Sequence, residues 1–403
     1  MTALFRRVAG ALGWTPGQVW TVAVGLVVAV PAALFGLGPS LNVLHQSRLA
    51  LATPPAAAAQ SAASTPPPAI LGGNASAPVT GTPAGRSSAS AGSASEPRVT
   101  TTVPSASAGG AESIFATVRG PGTVRSLAVA ADAVAVAVDM GAGAAGRVVV
   151  LDADGAVASD TSLVINGVPY QQPGGVAVTE GGVLVSTTAP AAVLRVDPVS
   201  GSVTKVADIP DVPVCLPVVH TSDCQAAVPD TAPHPEQLAV GDGGIYVADR
   251  AQACVFRVAP GETRATAWLC DLSFAGSPAT NGSGGLDGLA VAGDRVVFTV
   301  AADFDGGDSV QDVTVSNGAP ANRRTLAAPA NGAGVAGVAV LDDGRIVAAL
   351  TNANSLFVVA PDGSSKTLKL DGVTAPVDLD VRADSLLVAE QGAIAERSLS
   401  SLS

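Results

Sequence analysis

At 403 residues the chain is long enough for more than one domain, yet only 3% of it is aromatic. Any core must therefore rest on Val, Leu, Ile and Ala, residues that suit pleated sheets packed face to face. The formal charge of −12 is unevenly placed: five of the 21 basic and one of the 33 acidic residues precede Glu112, leaving 16 against 32 and a net −16 beyond it. So acidic a region repels phosphate backbones, which excludes nucleic acid and leaves cations, sugars, neutral small molecules or basic protein surfaces as partners.

The chain opens with Arg6 and Arg7 and then carries no formally charged side chain from Val8 to Leu44. Its densest apolar stretch, Val19 to Leu37, is long enough as a helix to cross the roughly 30 Å hydrocarbon core of a bilayer. Pro31 would kink such a helix, and Trp14 and Trp20 stand at its entry side, where amphipathic rings prefer the interface. The arginines before the span place residues 1–17 in the cytoplasm, residues 18–40 across the cell membrane in a single pass, and the rest outside. The rival reading is a cleaved signal peptide. It needs a shorter apolar region with a cleavage site close behind, whereas the nearest Ala-x-Ala, at Ala50 to Ala52, lies well downstream.

Residues 41–111 read as a linker, because the stretch from Thr53 to Gly110 is almost entirely Ala, Ser, Pro, Thr and Gly. That composition offers too little apolar surface to offset the entropy of ordering and predicts a disordered tether.

From residue 112 to 403 one pattern recurs, an apolar triplet, a polar turn and a second apolar run. The triplets are Leu127-Ala128-Val129, Val176-Ala177-Val178, Leu238-Ala239-Val240, Leu289-Ala290-Val291, Val338-Ala339-Val340 and Leu379-Asp380-Val381. Their spacings of 49, 62, 51, 49 and 41 residues match the period of a propeller blade with several short strands per repeat. The fold class predicted is all-β: a six-bladed β-propeller preceded by one transmembrane helix and a disordered linker. The last repeat lacks an outer strand, and Ser113 to Val118 stands upstream as an orphan strand able to close the ring. The alternation Val255-Phe256-Arg257-Val258 predicts half-buried strands.

All four cysteines lie in one sector, and outside the cytoplasm an even count favours disulfides. Cys254 and Cys270 flank a hairpin turning at Pro260 to Thr263. Counting symmetrically about residue 262 sets 258 opposite 266, 256 opposite 268 and 254 opposite 270, so Cys254–Cys270 is the expected bridge. Cys215–Cys224 would then staple the loop between the second and third blades. Zinc is the rival reading, but the spacings, with His220 and His234 nearby, fit no Cys-x-x-Cys pattern.

The string from Pro235 to Arg250, PEQLAVGDGGIYVADR, resembles the NHL repeat. The whole region is similar to the six-bladed superfamily of NHL proteins and the SMP-30/gluconolactonase group. That resemblance implies a fold, and for the second group a divalent metal bound by side chains two residues before each inner-strand triplet. Here those positions hold Arg125, Gly174, Glu236, Asp287, Ala336 and Val377. Only Glu236 and Asp287 are able to ligate, and Arg125 places positive charge where the family has a Glu; the rival reading is that Glu236 and Asp287 cap turns at the strand entrance. On the same face Asp303, Asp305, Asp308 and Asp312 offer hard oxygen ligands for calcium or another divalent cation; the rival is an acidic hairpin tip in solvent. A Ser-His-Asp site has only His45, His220 and His234 to draw on, and no phosphate loop appears.

The leading functional expectation is a membrane-anchored, extracytoplasmic, monomeric binding or sensory module without catalysis, with no required cofactor. Its loop-rich face, built from residues 161–173, 211–235 and 272–286, would take a small molecule or an envelope protein. The alternatives are a metal-dependent lactonase-type hydrolase using Glu236 and Asp287, and a structural scaffold of the cell envelope.

Overall fold

The computed structural model describes residues 100–102, 112–131, 133–212, 232–276, 284–303 and 306–402. The chain divides into two units, 1–90 and 91–403, and the described residues all belong to the second. The expected membrane helix and the linker, apart from Thr100–Thr102, lie outside the described residues. Among the described residues no helix is long and apolar enough to cross a membrane.

Two strands, β1 (Thr100–Thr102) and β2 (Glu112–Arg119), precede the repeats. The first blade comprises β3 (Thr123–Ala130), β4 (Ala133–Asp139), β5 (Arg147–Leu151) and β6 (Val157–Ser162). A small hairpin, β7 (Val164–Ile165) and β8 (Val168–Pro169), leads to the second blade: β9 (Gln171–Thr179), β10 (Gly182–Ala189), β11 (Ala191–Val196) and β12 (Val203–Asp208). The third holds β13 (Pro235–Gly241), β14 (Gly244–Asp249), β15 (Cys254–Val258) and β16 (Thr266–Cys270). The fourth holds β17 (Gly285–Ala292), β18 (Arg295–Ala301), β19 (Ser309–Ser316) and β20 (Ala319–Ala327). The fifth holds β21 (Val335–Val340), β22 (Ile346–Leu350), β23 (Ser355–Val359) and β24 (Ser365–Lys369). The sixth has three repeat strands, β25 (Asp378–Arg382), β26 (Ser385–Ala389) and β27 (Ala393–Ser398).

Each blade is an antiparallel meander, and the sixth is completed from the other end of the chain: β2 pairs with β27, and β1 pairs outside β2. The orphan strand thus closes the ring. The strand at Thr100–Thr102 falls in the stretch read as linker; three successive β-branched residues suit an added edge strand.

Six apolar clusters fill the gaps between successive blades, from Val124, Leu127 and Val136 against Leu387 and Ile394 around to Leu356 and Val358 against Leu386 and Val388. Because a blade is covered on both faces, its middle strands are buried throughout, as in β5, β22 and β23. The expectation of half-buried strands therefore holds poorly for them: in β15 only Arg257 is not fully buried. Polar residues gather instead in outer strands such as β24.

Cys254 and Cys270 face each other across β15 and β16 and are bonded. The register nearer the turn differs from the symmetric count: Arg257 pairs with Thr266 and Phe256 with Ala267. A bulge at Trp268 then restores the cysteine pairing, and the indole N–H donates to the Gly318 carbonyl at 2.9 Å. Cys215 and Cys224 lie outside the described residues.

Candidate functional site

The inner strands β3, β9, β13, β17, β21 and β25 stand side by side around the axis, with β25 returning to β3. The first five carry a bulge at the same place. The extra residue falls at Arg125 in β3, at Gly174 and Gly175 in β9, at Glu236 and Gln237 in β13, at Asp287 and Gly288 in β17, and at Ala336 and Gly337 in β21. These positions contain the metal slots of the resembled family. A bulge re-aims a side chain and breaks the ladder, so the freed N–H groups need other acceptors. Gly175 N–H donates to Ser186 Oγ and Gly288 N–H to Thr299 Oγ1, each from the neighbouring strand of its own blade. Small residues let the blades meet closely: a Cβ on Gly174 would overlap the Glu236 carbonyl, and one on Gly337 would overlap Asp378.

Where the ring closes, β25 grips β3 with two carboxylates. Asp378 Oδ2 accepts Ser126 Oγ–H at 2.7 Å and Leu127 N–H at 2.9 Å, and Asp380 Oδ2 accepts Val129 N–H at 2.7 Å. Burial pushes the Asp378 carboxyl up to about 6, although these bonds oppose the shift.

At the mouth, Glu236 is 6% exposed and has three basic neighbours. Arg125 Nη2–H donates to Oε2 at 3.3 Å, His234 Nδ1 lies 2.9 Å from Oε1, and Arg250 also contacts Oε1. Neither contact at Oε1 has hydrogen-bond alignment. Burial alone would raise the Glu236 carboxyl, but His234, Arg250 and Arg125 together outweigh it and hold it well below the usual range. Asp287 moves the other way: burial raises it first, and the Glu236 charge raises it further. Behind them Asp249, fully buried, accepts the His234 and Gln252 N–H groups and is pushed up to about 6 by burial. A cleft of about 230 Å³ opens over this cluster, lined by Arg125, Asp139, Gln172, His234, Glu236 and Arg250 among others.

The structure thus brings Glu236 and Asp287 into one electrostatic cluster. The residues there do not fit a divalent metal, because the Glu236 carboxylate is already matched by two guanidinium groups, and no group of three metal-ligating side chains forms among the described residues. The acidic segment after Ala302 stands apart from this cluster. Asp303 accepts Gly307 N–H, Asp308 accepts Ala302 N–H and Gly334 N–H, and Asp312 pairs with Arg295 and Arg324. The backbone thus takes up both Asp308 oxygens, and Asp305 lies outside the described residues. Arg250 and His234 escaped notice as site residues because Arg250 entered only as the end of the repeat string and His234 only as a neighbour of the cysteines.

No family model matches the sequence, and no curated protein matches it. Among solved structures, a gluconolactonase from Xanthomonas campestris is similar at 15% identity with a TM-score of 0.50, over 75% of this chain and 94% of that one. A streptogramin B lyase is similar at 11% identity with a TM-score of 0.49, over 71% of this chain and 96% of that one. The first likeness establishes the fold, a six-bladed propeller of the kind found in the SMP-30/gluconolactonase group, and at this identity it carries no chemistry.

Proposed function

We propose that the propeller is a non-catalytic binding module, held outside the cell by the apolar segment of residues 18–40, and that its ligand enters at the axial mouth. The observation that carries this reading is the ion-paired state of Glu236. In the resembled lactonases the corresponding slots hold a metal, and here one slot is an arginine that neutralises another. Of the other acidic candidates, Asp303 accepts a backbone N–H of its own loop, and Asp308 accepts one from its own loop and one from Gly334. A rigid ring with elaborated loops at one mouth is a common scaffold for binding.

The alternative, a lactonase-type hydrolase, draws support from the adjacency of Glu236 and Asp287, two carboxylates at one axis. Hydrolysis separates the two readings. The purified full chain, assayed with simple aldonolactones in the presence of calcium, zinc or manganese, is expected to hydrolyse them no faster than buffer. Metal-dependent turnover abolished by Glu236→Gln would establish the hydrolase instead. Location is tested by Ser88→Cys: labelling by a membrane-impermeant maleimide on intact cells is expected, and labelling only after lysis would reverse the orientation.

A further inference from the structure

We infer that the mouth cleft takes a small organic carboxylate, held by Arg125 and Arg250; the inference rests on the binding role proposed above and names its ligand class. The signs of charge in the cleft are separated by depth. The side chains of Arg125, Arg250 and His234 are 37%, 30% and 33% exposed, whereas that of Glu236 is 7% exposed. Solvent therefore meets basic groups first, with the carboxylate nearly sealed. Glu236 holds the guanidinium groups in place without exhausting them: Arg125 has five N–H donors and, among the described residues, makes one hydrogen bond, to Oε2.

Inside the cluster Glu236 Oε1 lies against His234 Nδ1 and Arg250, and both it and Asp249 Oδ2 are sealed from solvent, so an entering carboxylate meets the guanidinium N–H groups and not these oxygens. The remaining carboxylate of the lining, Asp139, accepts the Gly141 N–H through Oδ1 at 3.0 Å.

Size and shape narrow the class. At about 30 Å³ per water-sized position, 230 Å³ admits roughly eight heavy atoms. A planar carboxylate matches the fork of an arginine in two parallel hydrogen bonds, which neither a neutral amide nor a sugar hydroxyl reproduces. The net charge of −16 over residues 112–403 disfavours large polyanions, so a small ligand with one or two charges fits best.

Isothermal titration of the full chain, purified in mild detergent, tests this with propionate, succinate, propionamide and inorganic phosphate. One propionate or succinate per chain is expected, weakening as salt is raised, with no binding of the uncharged propionamide. Arg125→Gln should weaken that binding at least tenfold, and Arg125→Lys, which keeps the charge and loses the fork, should fall between. Because Arg125→Gln leaves Glu236 less compensated, Arg125→Gln with Glu236→Gln is measured alongside and should also lose binding. Absence of heat with both carboxylates, equal binding of propionamide, tighter binding of phosphate, or carboxylate binding unchanged in the double variant would each overturn the inference. Lactone turnover would defeat the binding-module reading itself, whereas silence toward carboxylates in a chain without turnover defeats only the ligand class.

Discussion

Two buried aspartates, Asp249 and Asp378, set how the propeller responds to pH. Both have carboxyls raised by burial to about 6 from an ordinary 3.8. A folded state that raises a carboxyl's pKa favours its protonated form. The associated stability is therefore fully present below 3.8 and is lost as pH rises through about 6. Asp287 adds in the same direction, as does mutual repulsion in a region with a net charge of −16. Exposed turn carboxylates such as Asp197 and Asp362, whose pKa values are lowered, act oppositely and only below the ordinary carboxylate range. The melting temperature should accordingly be higher at pH 5 than at pH 7.5, and Asp378→Asn should flatten that dependence. A melting temperature that rises steadily from pH 5 to 7.5 would contradict the assignment. At this scale the sequence was only partly legible. Arg125, Glu236 and Asp287 were singled out by the resemblance to the SMP-30/gluconolactonase group, which marks the position two residues before each triplet. Ser126 and Asp378 were not, because they meet across blades more than 100 residues apart in the chain, and His234 and Arg250 were not, because their contacts to Glu236 depend on how the third blade folds its strand ends together.

Among the elements, the hairpin of β15 and β16 shows what counting from a turn can and cannot give. The cysteines were set opposite each other correctly, but through a register that fails near the turn and is restored by the bulge at Trp268. The bulge was not legible because it serves a partner in the next blade, Gly318. With a sequence separation of 16, the Cys254–Cys270 bridge removes chain entropy worth about 3 kcal/mol from the unfolded state, less any strain. Cys254→Ser with Cys270→Ser should thus lower the melting temperature by roughly 5 °C, measured by circular dichroism. An unchanged value would show that the bridge does not constrain the folded domain. The triplet and the apolar run after it made the first two strands of each blade readable. Thr100–Thr102 was not, since a three-residue strand in an Ala- and Ser-rich context carries no periodic signal.

For the whole molecule, the ring depends on a strand from before the first repeat. Phe115 and Ala116 of β2 are buried in the cluster shared by the sixth and first blades. A chain beginning at residue 120 should therefore melt at least 10 °C below one beginning at residue 91, or fail to fold. Equal melting temperatures would refute closure by β2. On the reading proposed above, the axial mouth is an ion-paired cleft and holds no metal. That reading is tested most directly by metal content, measured by mass spectrometry on the full chain equilibrated with calcium, zinc and manganese and then desalted. The account predicts far less than one metal per chain in the wild type. It predicts a gain of binding in Arg125→Glu, where three carboxylates would converge with no arginine at the first slot. One metal per wild-type chain, lost in Glu236→Gln, would contradict it.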